Sequence, residues 1–245
     1  MTAHSPSTGG RLVYAVGDVH GYSAQLRQLM VDIRADAERA KSAERPRLIF
    51  VGDYVDRGPD SRGVIEAVMA LLGDAQFEVV ALRGNHEHAL LRFLDEPEFA
   101  RAWITNWGEA TLRSYGVALP RGPMDEAGCA RVRAEFAAAF PPAHRLFLER
   151  LPLSERVGDY LFVHAGVRPG VALADQSAQD LMWIRQEFLG SDADFGMVVV
   201  HGHTPSAQPE RKANRIGIDT GVYMSGVLTA VRLQGTDVRF IQARA

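Results

Sequence analysis

Five short apolar runs, Leu12 to Val16, Leu48 to Val51, Phe77 to Leu82, Tyr160 to Val163 and Met197 to Val200, each stop at or within one residue of a cluster of Gly, Asp, His or Asn. Such runs, rich in β-branched side chains, read as buried strands. The clusters are GDVHG (Gly17 to Gly21), GDYVDRG (Gly52 to Gly58), RGNHE (Arg83 to Glu87), HAG (His164 to Gly166) and GHTP (Gly202 to Pro205). Helical segments separate the first three runs. Tyr22 to about Lys41 carries Leu26, Leu29, Met30 and Ile33 at helical spacing, and Ser61 to Leu72 is similar. Strand alternating with helix predicts parallel pairing with right-handed crossovers. Open α/β sheets take their ligands beyond the carboxyl ends of such strands, so all five clusters can converge on one edge.

The rest of the chain is read around that core. Its 245 residues, 47% hydrophobic and 23% charged, suit a single globular domain over residues 11–245. Residues 1–10, MTAHSPSTGG, hold no apolar stretch of signal-peptide length and are read as a flexible tail. A net charge of −3 supplies no field for a polyanion, so neither nucleic acid nor an anionic membrane is expected as a partner. No run reaches the roughly 18 apolar residues of a membrane span. The lone Cys129 sits on an Ala-rich helical stretch as a small filler and fits a reducing compartment, which makes the cytoplasm the expected location. Residues 95–152 read as a helical insertion punctuated by proline, with Phe99, Trp103 and Trp107 at helical spacing and assigned to packing. Arg215 to Gly221, Val227 to Leu233 and Val238 to Ala243 read as an antiparallel meander.

Asp and His are costly to bury unless paired or ligating, and here they recur where buried strands end. Asp18 and His20 are two residues apart, so their side chains share a direction and can meet one cation. Asp53 has two carboxylate oxygens, enough to bridge two cations about 3.5–4 Å apart. Arg57 offers a planar fork of donors for phosphate oxygens, and Arg83 is near enough in sequence to join it. Asn85 can ligate through its amide oxygen, His86 can donate a proton, and His164 and His203 can supply nitrogen ligands. Two divalent cations, less two carboxylates and a hydroxide, leave residual positive charge suited to a phosphate dianion.

Together these segments resemble the metallophosphoesterase superfamily, and specifically the phosphoprotein phosphatases in their bacterial and phage form, over about Val13 to Gly221. The resemblance implies a four-layer α/β/β/α sandwich, with two mixed sheets flanked by helices and a dinuclear metal site at the C-terminal ends of the strands. It implies that Asp18, His20 and Asp53 hold one divalent ion, and that Asp53, Asn85, His164 and His203 hold the other. Arg57, Arg83 and Arg185 would grip phosphate, while His86, oriented by Asp56, would protonate the leaving oxygen. A neighbouring carboxylate favours the imidazolium that this role needs. Mixed Asp, His and Asn ligands suit Mn²⁺ first, with Fe or Zn as alternatives.

The implied activity is hydrolysis of a phosphomonoester by a metal-bridged hydroxide. The expected substrate is protein phosphoserine or phosphothreonine, with phosphotyrosine included; a bis(5'-nucleosyl)-tetraphosphatase, or another phosphatase of small phosphate esters, is the alternative. Pro205 stands where many metallophosphoesterases carry the second histidine of GHxH, and Asp56-Arg57-Gly58 points to the protein-phosphatase branch. Both features argue against a nuclease or a cyclic-nucleotide diesterase. A binding module that had lost catalysis would lack His86, Asp56 or a ligand, and all are present. His201 is read as structural or supporting, and Asp219 as a turn or cap residue that could also support the site.

Overall fold

The computed structural model describes residues 5–120 and 124–244. Strand and helix alternate through β1 (Leu12–Val16), α1 (Ser23–Ala40), β2 (Arg47–Phe50), α2 (Ser61–Leu71) and β3 (Glu78–Ala81). Helices α3 (Asn85–Asp95), α4 (Ala100–Trp103), α5 (Glu109–Ser114), α6 (Glu126–Ala139) and α7 (Pro142–Arg150) then lead to β4 (Ser154–Val157) and β5 (Tyr160–Val163). Next come α8 (Ala178–Trp183), α9 (Gln186–Leu189), β6 (Val198–His201), β7 (Glu210–Arg211) and β8 (Arg215–Gly217). The chain closes with α10 (Val222–Ser225), β9 (Val227–Gln234) and β10 (Asp237–Arg244).

These strands form two mixed sheets, in the orders β10-β9-β1-β2-β3 and β4-β5-β6-β8-β7. Within them β1, β2 and β3 run parallel, as do β5, β6 and β8. The period of two explains the layers. Val13 and Ala15 of β1 meet Phe162 and Val200 of the second sheet in one buried cluster, while Leu12, Tyr14 and Val16 pack outward on Leu26, Leu29 and Ile33 of α1. Leu161, Val163 and Val199 cover the far side against Leu181 and Phe188. The central strands of both sheets are therefore buried on both faces, which is why they read as continuous apolar runs.

Three expectations need correction. The C-terminal segments are not one meander: β8 joins the second sheet parallel to β6, pairing Val200 with Ile216, and only β9 and β10 form the antiparallel hairpin. Buried Arg215 holds β8 there by donating to the carbonyls of Leu189 and Ser191 at the end of α9. Of the expected flexible tail, residues 1–4 lie outside the described residues, and the remainder is tied down. Ser7 N–H donates to the Asp159 carboxylate (2.9 Å), and Thr8 exchanges hydrogen bonds with Gly235 in the β9–β10 turn. The aromatic stripe also divides: Trp103 is buried and stacked on Phe93 with ring centroids 4.3 Å apart, whereas Trp107 is half-buried beside His86. No helix among the described residues is long and apolar enough to cross a membrane.

Candidate active site

All five clusters meet at the carboxyl ends of β1, β2, β3, β5 and β6. Asp18, His20, Asp53, Asn85, His86, His164 and His203 are all buried. Their backbone is unusual: among the described residues, non-glycine positive φ occurs at His20 (46°), Asp53 (54°), Asp56 (69°), Arg57 (67°) and His203 (64°), and otherwise only at Lys41, which ends α1. The left-handed region costs an L-residue roughly 1–2 kcal/mol, so conformational strain concentrates at the candidate site.

Two groups of side chains could each hold an ion: His20 with Asp53 and His86, and Asp53 with His164 and His203. Asp53 is common to both. Its Oδ2 lies 3.6 Å from His20 Nε2 and its Oδ1 3.4 Å from His164 Nε2, so the two oxygens face different partners. Asn85 Oδ1 completes the second group, 2.8 Å from both His164 Nε2 and His203 Nδ1. Two backbone carbonyls orient the rings. His20 Nδ1 is 2.8 Å from Val55 O and His164 Nδ1 is 3.0 Å from Val51 O; an N–H donated there leaves each Nε2 with its lone pair free.

His86 belongs to the first group by distance alone. Its Nδ1 is 2.6 Å from Asp56 Oδ2, while its Nε2 is 3.9 Å from Asp53. Burial disfavours the imidazolium, but Asp53 and the hydrogen-bonded Asp56 outweigh it and push the His86 pKa up to about 9. With Nδ1 taken up by Asp56 and Nε2 3.9 Å from Asp53, His86 is set apart from the other donors, and Asp18 is the further candidate for the first group. Asp18 Oδ2 accepts the His203 backbone N–H (3.0 Å), and Oδ1 is buried with no hydrogen-bond partner among the described residues.

That orphaned oxygen is one reason the residues fit divalent ions. Another is the balance of buried charge. Burial lowers the His20 pKa to about 4 and that of His203 to about 3, and lowers His164 as well, so all three rings are neutral and could serve as ligands. Burial, with Asp219 and Asp53 nearby, raises Asp18 far above the usual carboxylate range; burial also pushes Asp219 up to about 6. Burial would raise Asp53 too, but the four surrounding imidazoles hold it well below the usual range. Buried carboxylates crowded beside three neutral imidazoles match the donor set of hard-to-borderline divalent metals. Gly202 is required for the approach, because a Cβ there would collide with Asp18 Oδ1.

The predicted phosphate-binding arginines fall in three different settings. Arg57 is exposed and stacks on the Tyr223 ring, 4.4 Å from its centroid, with its charge felt at His20 and Asp219. Arg185 Nε donates to His203 Nε2 (3.0 Å), at the rim of the second group. Arg83 Nη2 instead donates to the carbonyls of Leu148 (3.1 Å) and Glu149 (2.6 Å) near the end of α7, so its hydrogen bonds anchor a helix. His201 is buried outside both groups, with Nδ1 at 3.1 Å from Gly202 O. Asp219 Oδ1 accepts the Gly221 N–H (2.8 Å), a turn contact made while its carboxyl also faces Asp18.

Sequence reasoning missed three supports. Glu87 is fully buried and its carboxylate accepts N–H donors of Asp53 (2.8 Å), Tyr54 (2.7 Å) and Gly84 (2.9 Å), holding the loop that carries Asp53. Its position three residues after Gly84, as in a capping box, was the available signal. Thr111 of α5 donates to Asp56 Oδ1 (2.6 Å) and its hydroxyl oxygen accepts the Asp56 N–H (2.9 Å), a pairing across 55 residues with no sequence signal. Tyr223 lies edge-on to His20 at 5.5 Å and supports Arg57.

A two-sheet sandwich that gathers two His/Asp groups around a shared aspartate at its strand ends defines the class of metal-dependent phosphoesterases. A sequence profile of the calcineurin-like phosphoesterases matches residues 12–224, and the chain belongs to that family. It is 30% identical over 238 residues to serine/threonine-protein phosphatase 1 of Salmonella typhimurium, covering 91% of this chain and 93% of the relative. It is 29% identical to the asymmetrical bis(5'-nucleosyl)-tetraphosphatase PrpE of Anoxybacillus flavithermus, covering 76% and 75% respectively. The fold is shared with a crystal structure assigned as a diadenosine tetraphosphatase, at a TM-score of 0.62 and 22% identity over 96% of this chain and 94% of the other.

Proposed function

We propose that this chain is a metal-dependent phosphatase in which Asp18, His20 and Asp53 hold one divalent ion and Asp53, Asn85, His164 and His203 hold a second. The observation that carries this reading is Asp53, whose two oxygens face two separate imidazole sets while His86 is locked beside it by Asp56. Divalent ions bound there supply charge for the phosphate oxygens and lower the pKa of water. The chain's own residues do the rest. Arg57 and Arg185 bind and orient the phosphoryl oxygens, while Arg83 shapes the wall from α7. Protonated His86 gives its proton to the departing oxygen, and Asp56, fixed by Thr111, keeps the ring aimed.

Protein phosphoserine or phosphothreonine is the first substrate reading, supported by GDYVDRG, GNHE and GHTP and by the 30% identical relative. A nucleotide is the second, favoured by PrpE among the relatives and by the groove beside His86 taken up below. Mn²⁺ is the ion to supply first, and the lone buried Cys129 supports a reducing, cytoplasmic setting. Rates on phosphopeptides and on dinucleoside tetraphosphate with the Mn²⁺-loaded protein test the reading. Hydrolysis of at least one, abolished in Asp53→Asn, is expected; turnover undiminished by that substitution contradicts it.

A further inference from the structure

A groove of about 520 Å³ opens next to His86, between Arg57 on the β2 loop and the α4–α5 segment, which contributes Ile104, Asn106, Trp107 and Arg113. The α-helical path breaks here: Ile104–Gly108 form a π-helical turn between α4 and α5. Such turns insert a residue and re-aim the side chains around it. The turn is fixed by packing, since a Cβ on Gly108 would run into the ring of buried Trp103. Its effect is to put Trp107, only half-buried, at 5.8 Å and 68° from the His86 ring.

We propose that this groove is a leaving-group subsite, and that its occupant is the nucleoside phosphate portion of a nucleotide substrate. The proposal rests on the phosphatase reading above for the role of His86. Hydrolysis breaks the bond from phosphorus to the leaving oxygen, the oxygen of water takes its place, and the leaving oxygen accepts the His86 proton, which water then restores. Atoms just beyond that leaving oxygen therefore meet Trp107 and Arg57. An indole face stacks a planar base, which a serine or threonine leaving group does not offer. Arg57 and Arg113 supply cations for the phosphates that a nucleotide carries onward. Among the described residues Arg113 pairs with exposed Glu109 (2.5 Å), a contact worth little in water and readily exchanged for phosphate. The groove also has the size of a small-ligand pocket, for which about 300–1,000 Å³ is usual.

The test is a tryptophan-fluorescence titration of the Mn²⁺-loaded full chain with the non-hydrolysable α,β-methylene analogue of ADP. Saturable quenching is expected, with affinity about tenfold weaker in Trp107→Leu, the scale of one lost base stack. Arg113→Ala, an exposed change that leaves the packing intact, should weaken binding of the analogue and leave that of adenosine as it is. No binding by the wild-type chain, or equal binding by both variants, overturns the proposal. So does a phosphoserine peptide that binds with the same Trp107 dependence while the analogue does not. Hydrolysis of p-nitrophenyl phosphate, followed in parallel, separates the two readings. Turnover without Trp107-dependent binding removes the subsite alone, whereas Trp107-dependent binding without turnover removes the catalytic reading and leaves the nucleotide site.

Discussion

The two sheets bring unlike chemistry to one edge. Strands β1, β2 and β3 of the first sheet deliver Asp18, His20, Asp53, Asn85 and His86, whereas β5 and β6 of the second deliver only His164 and His203. One candidate metal group, His20 with Asp53 and its neighbours, is thus built from the first sheet alone, and the other spans both sheets through Asp53. The first sheet brings the carboxylates and His86 beside Asp56; the second sheet brings His164 and His203, both of lowered pKa. A metal in the spanning group would therefore tie the two halves of the sandwich together, whereas one in the first group would only stiffen loops.

Asp53→Asn breaks both halves at once, and hydrolysis of p-nitrophenyl phosphate should fall to background, with both ions lost on metal analysis. His203→Ala should separate them: the bound metal falls by one ion per chain, and thermal unfolding is no longer raised by the metal of the spanning group. If both ions leave together, the division by sheet is wrong.

His86→Asn should retain metal and cut turnover by roughly 10²–10⁴-fold, the usual range for a general acid. The pH profile sharpens this. With His86 raised to about 9, the wild-type rate should fall as pH rises through that value and the ring loses its proton, and the variant should lack this limb. Thr111→Val removes the hydroxyl that fixes Asp56 and should cost roughly tenfold in kcat, since a small misplacement of a catalytic group is expensive. A loss in KM alone would assign Thr111 to folding of α5.

The smallest effect lies outside the site. Burial lowers His201 to about 4 in the folded chain, below its usual value near 6.5. The unfolded chain therefore binds a proton first as pH falls, so the stability gained from the neutral ring is full above about 6.5 and is lost toward 4. Between pH 7 and 5 the loss is about 2 kcal/mol, and in His201→Gln the urea midpoint should respond correspondingly less to pH.

Much of this site was legible because each predicted ligand directly follows an apolar run, and strand ends converge by topology. Asp18, His20, Asp53, Asn85, His164 and His203 needed only that local signal. Glu87 and Thr111 act through hydrogen bonds to loops over 30 residues away, which no local pattern encodes. Arg83 carries the right chemistry for phosphate, but nothing in the sequence signals that its Nη2 also donates to carbonyls of α7. The parallel placement of β8 was hidden for a similar reason, since Arg215 inside it is buried by partners on α9. Short polar β4 and β7 sit at sheet edges, where no apolar run is required. The left-handed residues are likewise invisible in sequence, because only tertiary contacts hold His20, Asp53 and His203 there.

The most direct measurement is hydrolysis of p-nitrophenyl phosphate by the full chain after exhaustive chelation and again after Mn²⁺ is restored, with bound metal counted in each state. The account predicts no turnover without metal, and recovery that is complete only at two ions per chain. Undiminished turnover in the chelated protein, or full turnover with a single ion, would contradict it.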